Sequence, residues 1–146
     1  MNRLTISEFI DSKYKEYSFY VINSRAIPSL RDGMKPVQRR ILWIAKDEAK
    51  DFTKVSNLAG QTMRLHPHGN TAIEGAIGTL TQDFCGANNH PLMAGKGAFG
   101  GKILGSGKGI GAARYVSVKV NDFTKKVVFK DSELIQEIPN YDGEYT

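Results

Sequence analysis

Apolar residues recur at every third or fourth position early in the chain, at Ile6, Phe9, Ile10, Tyr14, Tyr17, Tyr20 and Val21. That is the spacing of one helix face, and Thr5 with Glu8 forms a capping-box pattern at its start, so a helix over about residues 6–23 is predicted. From Ala26 to Lys35 the pattern is broken by Pro28 and Asp32-Gly33, which reads as a loop, and Pro36 suits the first position of a second helix. In that helix Val37, Ile41, Ile44 and Ala45 share a face, while Arg39 and Arg40 fall off it and can face a partner. A third, shorter helix covers Ser56 to Met63, and His66-Pro-His-Gly is a turn because proline and glycine interrupt a helix there. Asn70 is the expected N-cap of a fourth helix, whose buried stripe is Ala72, Ile73, Ala76, Ile77, Leu80 and Phe84. Thr71, Glu74, Gly75, Gly78, Thr79 and Gln82 are left on its other side.

The second half of the chain changes character. A glycine-rich run from Gly95 to Gly111 is followed by the alternation Tyr115-Val-Ser-Val-Lys-Val120, the period of a half-buried strand. Two helices joined by a short turn, then glycine-rich loops and a strand, predict an α+β fold. Within that class they suggest a helix-turn-helix carrying a β wing, a winged helix preceded by an N-terminal helix. Asn121-Asp122 is expected to cap a short helix through Phe129, and Ile135 to Asp142 reads as extended. No internal repeat, heptad pattern or low-complexity tail is visible.

A length of 146 residues with 40% hydrophobic content suits one domain with a modest core. The net charge of +5 suits a polyanionic partner, and the placement of the charge says more than its sum. Cations gather in Arg25–Arg40 and at Lys96, Lys102 and Lys108, whereas Asp131, Glu133, Glu137, Asp142 and Glu144 make the C-terminal end acidic. The single Cys85 forms no internal disulfide and, beside Phe84, reads as a packed, inert thiol. No apolar stretch reaches the length needed to span a bilayer, and no secretory signal pattern opens the chain, which points to a reducing cytoplasmic setting.

Several motifs fail on inspection. Gly95-Lys-Gly-Ala-Phe-Gly100 fits G-x-G-x-x-G, but nothing upstream supplies the βαβ unit a dinucleotide fold needs. Gly105-Ser-Gly-Lys108 mimics a P-loop, yet Lys102 stands where its first glycine belongs and Gly109 where its Ser/Thr belongs. His66 and His68 with one distant cysteine make an incomplete zinc set, so no metal site is expected, and a proline-stiffened turn is the plain reading. Arg39 and Arg40 are either a solvated helix face or, with Arg25, Arg31 and Lys35 near in sequence, a patch that tracks phosphates. Tyr115 is either a packing residue at a strand start or a nucleophilic phenol placed directly after a permanent cation, Arg114.

Taken in order, Arg25-Ala-Ile-Pro-Ser-Leu-Arg-Asp-Gly-Met-Lys-Pro-Val-Gln-Arg-Arg40, His66-Pro-His-Gly-Asn-Thr-Ala72, Gly95-Lys-Gly-Ala-Phe-Gly100 and Ala112-Ala-Arg-Tyr115 resemble the DNA-cleaving domain of type IIA DNA topoisomerases. This is the family of the gyrase A protein and its phage counterparts, and the resemblance runs from about Tyr14 to Tyr141. It implies an isomerase whose active-site tyrosine, Tyr115, attacks a DNA phosphodiester to form a reversible 5′-phosphotyrosyl link, with Arg114 as the adjacent catalytic arginine. Arg25, Lys35, Arg39 and Arg40 match the family's basic signature. His66 and His68 become phosphate or transition-state contacts, and Asn70 and Thr71 open the helix that meets DNA. Close approach of a DNA backbone would then offset the cost, roughly 1 kcal/mol each, of Gly75 and Gly78 inside that helix.

A phenol with a pKa of about 10 needs a base or nearby positive charge to attack phosphorus at neutral pH, and Arg114 with the basic loop would supply the charge. The resemblance places the Mg²⁺ site on a toprim segment or subunit, and it places ATP use on an ATPase segment or subunit, with neither held by this chain alone. It implies double-stranded DNA, a second copy of this chain and the toprim/ATPase subunit as partners, in the nucleoid of a bacterial or phage-infected cell. The expected organisation is an N-terminal helical arm, 1–25, and a winged-helix cleavage domain, 26–146, ending before the family's tower and coiled-coil regions. Asn70 stands where an acidic residue is usual, and Val116-Ser117 replaces the frequent Thr-Glu. A noncatalytic winged-helix DNA-binding protein, or a fragment that inhibits a topoisomerase, is the alternative.

Overall fold

The computed structural model describes residues 5–105 and 108–137. The chain forms two compact units, Met1–Pro36 and Val37–Thr146.

The first unit is helical over α1 (Ile6–Phe9) and α2 (Lys15–Val21), with π-helical turns at Ile10–Tyr14 and Ile22–Ala26. The expected capping box is present: the Thr5 hydroxyl accepts from the Glu8 N–H, and the Glu8 carboxylate accepts from the Thr5 N–H. Ser12 and Ser24 donate to the carbonyls of Glu8 and Tyr20 at 2.7 Å each, the back-bonding that loosens a helix ladder. Helical backbone reaches Ala26, beyond the expected end at Asn23. Its apolar stripe is exposed at Ile6, Phe9, Ile10, Tyr14, Tyr17 and Tyr20. The following loop is knit locally, with Gly33 N–H on the Ser29 carbonyl, Ser29 N–H on the Met34 carbonyl and Met34 N–H on the Asp32 carboxylate.

The second unit contains α3 (Pro36–Glu48, of which Val37 onward belongs to it), β1 (Thr53–Lys54), α4 (Val55–Thr62), α5 (Asn70–Thr81), β2 (Met93–Lys96) and β3 (Ser117–Val120). The strands form one antiparallel sheet in the order β1-β3-β2, with Thr53 opposite Val118 and Met93 opposite Val120. The architecture is α+β, as the sequence predicts, and its helices and small sheet are compatible with a winged helix. Ile41, Leu42, Ala45 and Ala49 from the α3 region are buried, as are Val55, Leu58 and Ala59 of α4. Ile73, Ile77 and Leu80 of α5, Met93, and Val116, Val118 and Val120 complete the core.

Several local expectations are corrected. Asn70 is the first residue of α5 rather than its cap; Gly69 takes the cap position with φ +99°, which a side chain rarely tolerates. Ala72 is exposed, whereas Gly78 is buried, because a Cβ there would run into the side chain of Ile110. The gain that offsets this glycine is therefore packing against the glycine-rich segment. Tyr115 lies in a turn before β3. Thr124–Val128 is π-helical, Cys85 is exposed rather than packed, and the expected extended segment from Ile135 to Asp142 lies outside the described residues from position 138 onward. Among the described residues no helix is long and apolar enough to cross a membrane.

Candidate functional site

The turn carrying Arg114 and Tyr115 is built almost wholly from main-chain bonds. Tyr115 N–H donates to the Ala112 carbonyl at 2.8 Å, closing the turn. The carbonyls of Ala113 and Val116 accept from Ser56 N–H and Val55 N–H, each at 3.2 Å. These are first-turn groups of α4, which have no partner within their own helix. The Tyr115 carbonyl accepts from Lys54 Nζ at 3.0 Å. Three successive residues, Lys54, Val55 and Ser56, therefore hold the turn by its backbone, while the Val116 side chain is buried below it. The side chains of Arg114 and Tyr115 are both exposed. Tyr115 is 69% exposed, and the Arg114 guanidinium lies over its ring at 4.7 Å from the centroid. The Tyr115 ring is thus not packed in the core.

A second cluster forms where α4 ends. His66 N–H bonds the Thr62 carbonyl, which fixes the His66-Pro-His-Gly turn on the last turn of α4. The His66 ring is buried, and its Nδ1 lies 2.9 Å from Arg40 Nη1. A guanidinium only donates, so Nδ1 accepts and the ring proton is on Nε2. His68 stands edge-on to His66 with ring centroids 4.5 Å apart. Arg40 is thus half-buried and turned onto the turn, while its neighbour Arg39 is exposed; the two arginines do not share one solvated face. Asn70 and Thr71 are exposed in the first turn of α5, which has no side-chain cap bond. Arg25 and Lys35, both exposed, belong to the first unit.

The glycine-rich segment is folded back on itself. Phe99 pairs with Ile110, and Gly111 N–H donates to the Ala98 carbonyl at 2.8 Å, so the segment between them is a closed excursion with Lys102 and Lys108 exposed. Gly100, at φ +88°, has the Lys108 carbonyl and Gln82 Nε2 where a Cβ would stand. Gln82, placed by periodicity on the open side of α5, is wholly buried. It terminates α5 in an extended conformation, which turns its side chain away from the helical register. Lys54 also escapes sequence reasoning, since only the fold brings it to the Tyr115 carbonyl.

Among the described residues no group of three or more His, Cys, Asp or Glu side chains could hold a metal ion. A shallow hollow of about 440 Å³ beside α4, with Glu48, Ser56, Asn57 and Gln61 in its wall, includes none of the residues singled out from the sequence.

The family model for the A chain of DNA gyrase/topoisomerase IV matches residues 25–146. The DNA gyrase A protein of Campylobacter jejuni is 39% identical over 144 residues, covering 94% of this chain and 16% of that protein. The Aeromonas salmonicida protein of the same name is 34% identical over 96% of this chain and 15% of its own length. The one from Staphylococcus epidermidis is 34% identical over 98% of the chain and 16% of the relative. The chain spans about one sixth of the length of these curated relatives.

Proposed function

We propose, because this chain belongs to the gyrase A/topoisomerase IV family, that it is the DNA-cleaving part of a type IIA topoisomerase with Tyr115 as nucleophile. The observation that carries the reading is the exposed Tyr115 with a guanidinium over its ring, on a turn clamped through its backbone to α4. The Tyr115 phenol gives up its proton as its oxygen attacks a phosphodiester phosphorus, the bond to the 3′ oxygen breaks, and the 3′ oxygen takes up a proton in turn. The 5′ phosphate stays on the tyrosine. Arg114 offsets the charge that builds on the phosphoryl oxygens. One phosphodiester replaces another of similar energy, so the reverse attack by the 3′ hydroxyl reseals the strand.

The second cluster serves binding rather than this attack. Helix α4 has eight residues, a rise of roughly 12 Å, and the Arg40–His66 pair and the Tyr115 turn sit at its opposite ends. Within one chain the two clusters therefore address different phosphates. Arg40, His68, Asn70, Thr71 and the uncapped first turn of α5 suit a phosphate, with Arg25, Lys35 and Arg39 as further backbone contacts. On this reading 1–25 is an arm, and 26–146 is a winged-helix cleavage domain working in a homodimer. Mg²⁺ and ATP belong to a toprim/ATPase partner.

The test mixes the chain, a toprim/ATPase subunit, Mg²⁺ and supercoiled plasmid, followed by detergent and protease. Linear or nicked DNA carrying a Tyr115 peptide on its 5′ ends is expected. Tyr115→Phe keeps the ring and should bind DNA normally yet give no adduct. An adduct from Tyr115→Phe refutes the assignment.

A further inference from the structure

Gln82 is a long polar side chain with no exposed surface, in a place where neither charge nor catalysis calls for one. A buried amide persists where its bonds are made, and Nε2 turns toward one structure. Nε2 donates to the Phe99 carbonyl at 2.7 Å and lies 3.5 Å from the Lys108 carbonyl. Those carbonyls flank the mouth of the closed excursion, one on the outgoing limb and one on the return. The paired residues Phe99 and Ile110 lie directly beside them.

The backbone that carries the amide is itself tied down. Gln82 N–H bonds the Gly78 carbonyl, and Asn88 Nδ2 donates both to the Gln82 carbonyl at 2.8 Å and to the Thr79 carbonyl at 2.7 Å. Gly100 leaves the amide room to sit against the loop. On the return limb the chain passes from Lys108 through Gly111 to Ala112, whose carbonyl closes the Arg114–Tyr115 turn. The end of α5 is thus linked to the nucleophile by a short run of chain pinned at Lys108, Ile110 and Gly111.

We propose that Gln82 is a positioning residue, a clip that closes the glycine-rich loop and thereby fixes where Arg114 and Tyr115 stand. The proposal rests on the DNA-cleavage reading. It assigns Gln82 no contact with substrate; the amide acts through the loop. Loss of the clip opens the loop locally, because both carbonyls that Nε2 meets belong to the two limbs of the loop.

The experiment uses the full chain and Gln82→Met, which keeps length and removes the donors. Trypsin should cut after Lys102 and Lys108 about tenfold faster, and the Gly111 amide should exchange faster by a similar factor, with the urea midpoint falling by no more than the roughly 1.4 kcal/mol to which a tenfold change corresponds. With saturating plasmid and the Mg²⁺-loaded partner, the rate of Tyr115 adduct formation should fall at least about fivefold while DNA affinity stays within about twofold. Gln82→Glu supplies a readout that simple packing would not move. Its carboxylate cannot donate at pH 8, but the protonated acid can donate to the Phe99 carbonyl, so loop protection should return as pH falls, unlike in Gln82→Met.

Unchanged loop protection in Gln82→Met, or an open loop with undiminished adduct formation, overturns the proposal. So does a fall in the urea midpoint with loop cleavage and Gly111 exchange unchanged. Should Gln82→Met fail to fold, the Gln82→Glu pH series decides, and a flat profile refutes the clip. A wild-type chain that forms no Tyr115 adduct refutes the cleavage reading and the proposal's link to it, whereas unchanged loop protection refutes the clip alone.

Discussion

Two glycines three residues apart in α5 should respond to alanine in opposite ways. At Gly75 the space a Cβ would enter is open, so Gly75→Ala should stabilise the protein by roughly 0.5–1 kcal/mol through helix propensity. At Gly78 the added carbon would overlap Ile110 Cδ1 and approach Cγ1 and Cγ2 at 3.2 and 3.3 Å. Swinging the terminal methyl aside does not clear all three atoms, so an overpacking cost of about 1–3 kcal/mol opposes the same helix gain. Gly78→Ala should therefore be neutral to about 2 kcal/mol destabilising. The difference between the two substitutions isolates the overpacking, because the propensity gain is common to both. Urea unfolding followed by the fluorescence of Trp43, the single tryptophan, measures it at constant m value. Ile110→Val alone should cost about 0.5–1.5 kcal/mol, but less or nothing in the Gly78→Ala background, a coupling on the order of 1 kcal/mol. Equal stabilisation by both alanines, or zero coupling, would refute the packing of Ile110 on α5.

Replacing Arg39 and Arg40 together by alanine should weaken duplex binding across sequences and flatten the dependence of log affinity on log salt. Each lost phosphate contact accounts for about 0.9 of that slope, so an unchanged slope in anisotropy titrations removes both from the interface. Arg114→Ala should lower adduct formation by on the order of 10²–10³-fold, read by single-turnover cleavage, with little change in DNA affinity. The Glu8 carboxyl is held below the usual carboxylate range by the Thr5 N–H first and the Thr5 hydroxyl second. Its capping contribution is thus complete above the ordinary glutamate pKa and is lost as pH falls through the depressed value. A carboxyl NMR titration should show this, with Thr5→Ala moving the midpoint part of the way up.

Periodicity locates α4 and the starts of α3 and α5 to within a residue, because each buries one face and burial writes a 3.6-residue repeat into the sequence, whereas α5 stops at Thr81, three residues before Phe84 of the expected stripe. The same logic finds β3 through Val118 and Val120. It misses β1 and β2: β1 is only two residues long, and β2 runs into glycines that leave no alternation to read. Asn70 is a good cap by residue type, but Gly69 provides the backbone geometry the turn requires. The catalytic candidates stand out by their motif, whereas their supports do not. Lys54 and Gln82 act on main-chain carbonyls distant in sequence, and a carbonyl leaves no mark on residue identity.

The seating of the Arg114–Tyr115 turn on α4 bears on how freely this protein can vary. Its anchors are carbonyl oxygens, which every amino acid supplies, received by two peptide N–H groups and one lysine. Side chains in the turn are thereby released from the duty of holding it, except where Val116 fills the core. Ser117 can differ from a relative's residue without shifting the tyrosine, and the surface around the phenol is open to drift. The location of Tyr115 is inherited with the backbone, and its surroundings can evolve.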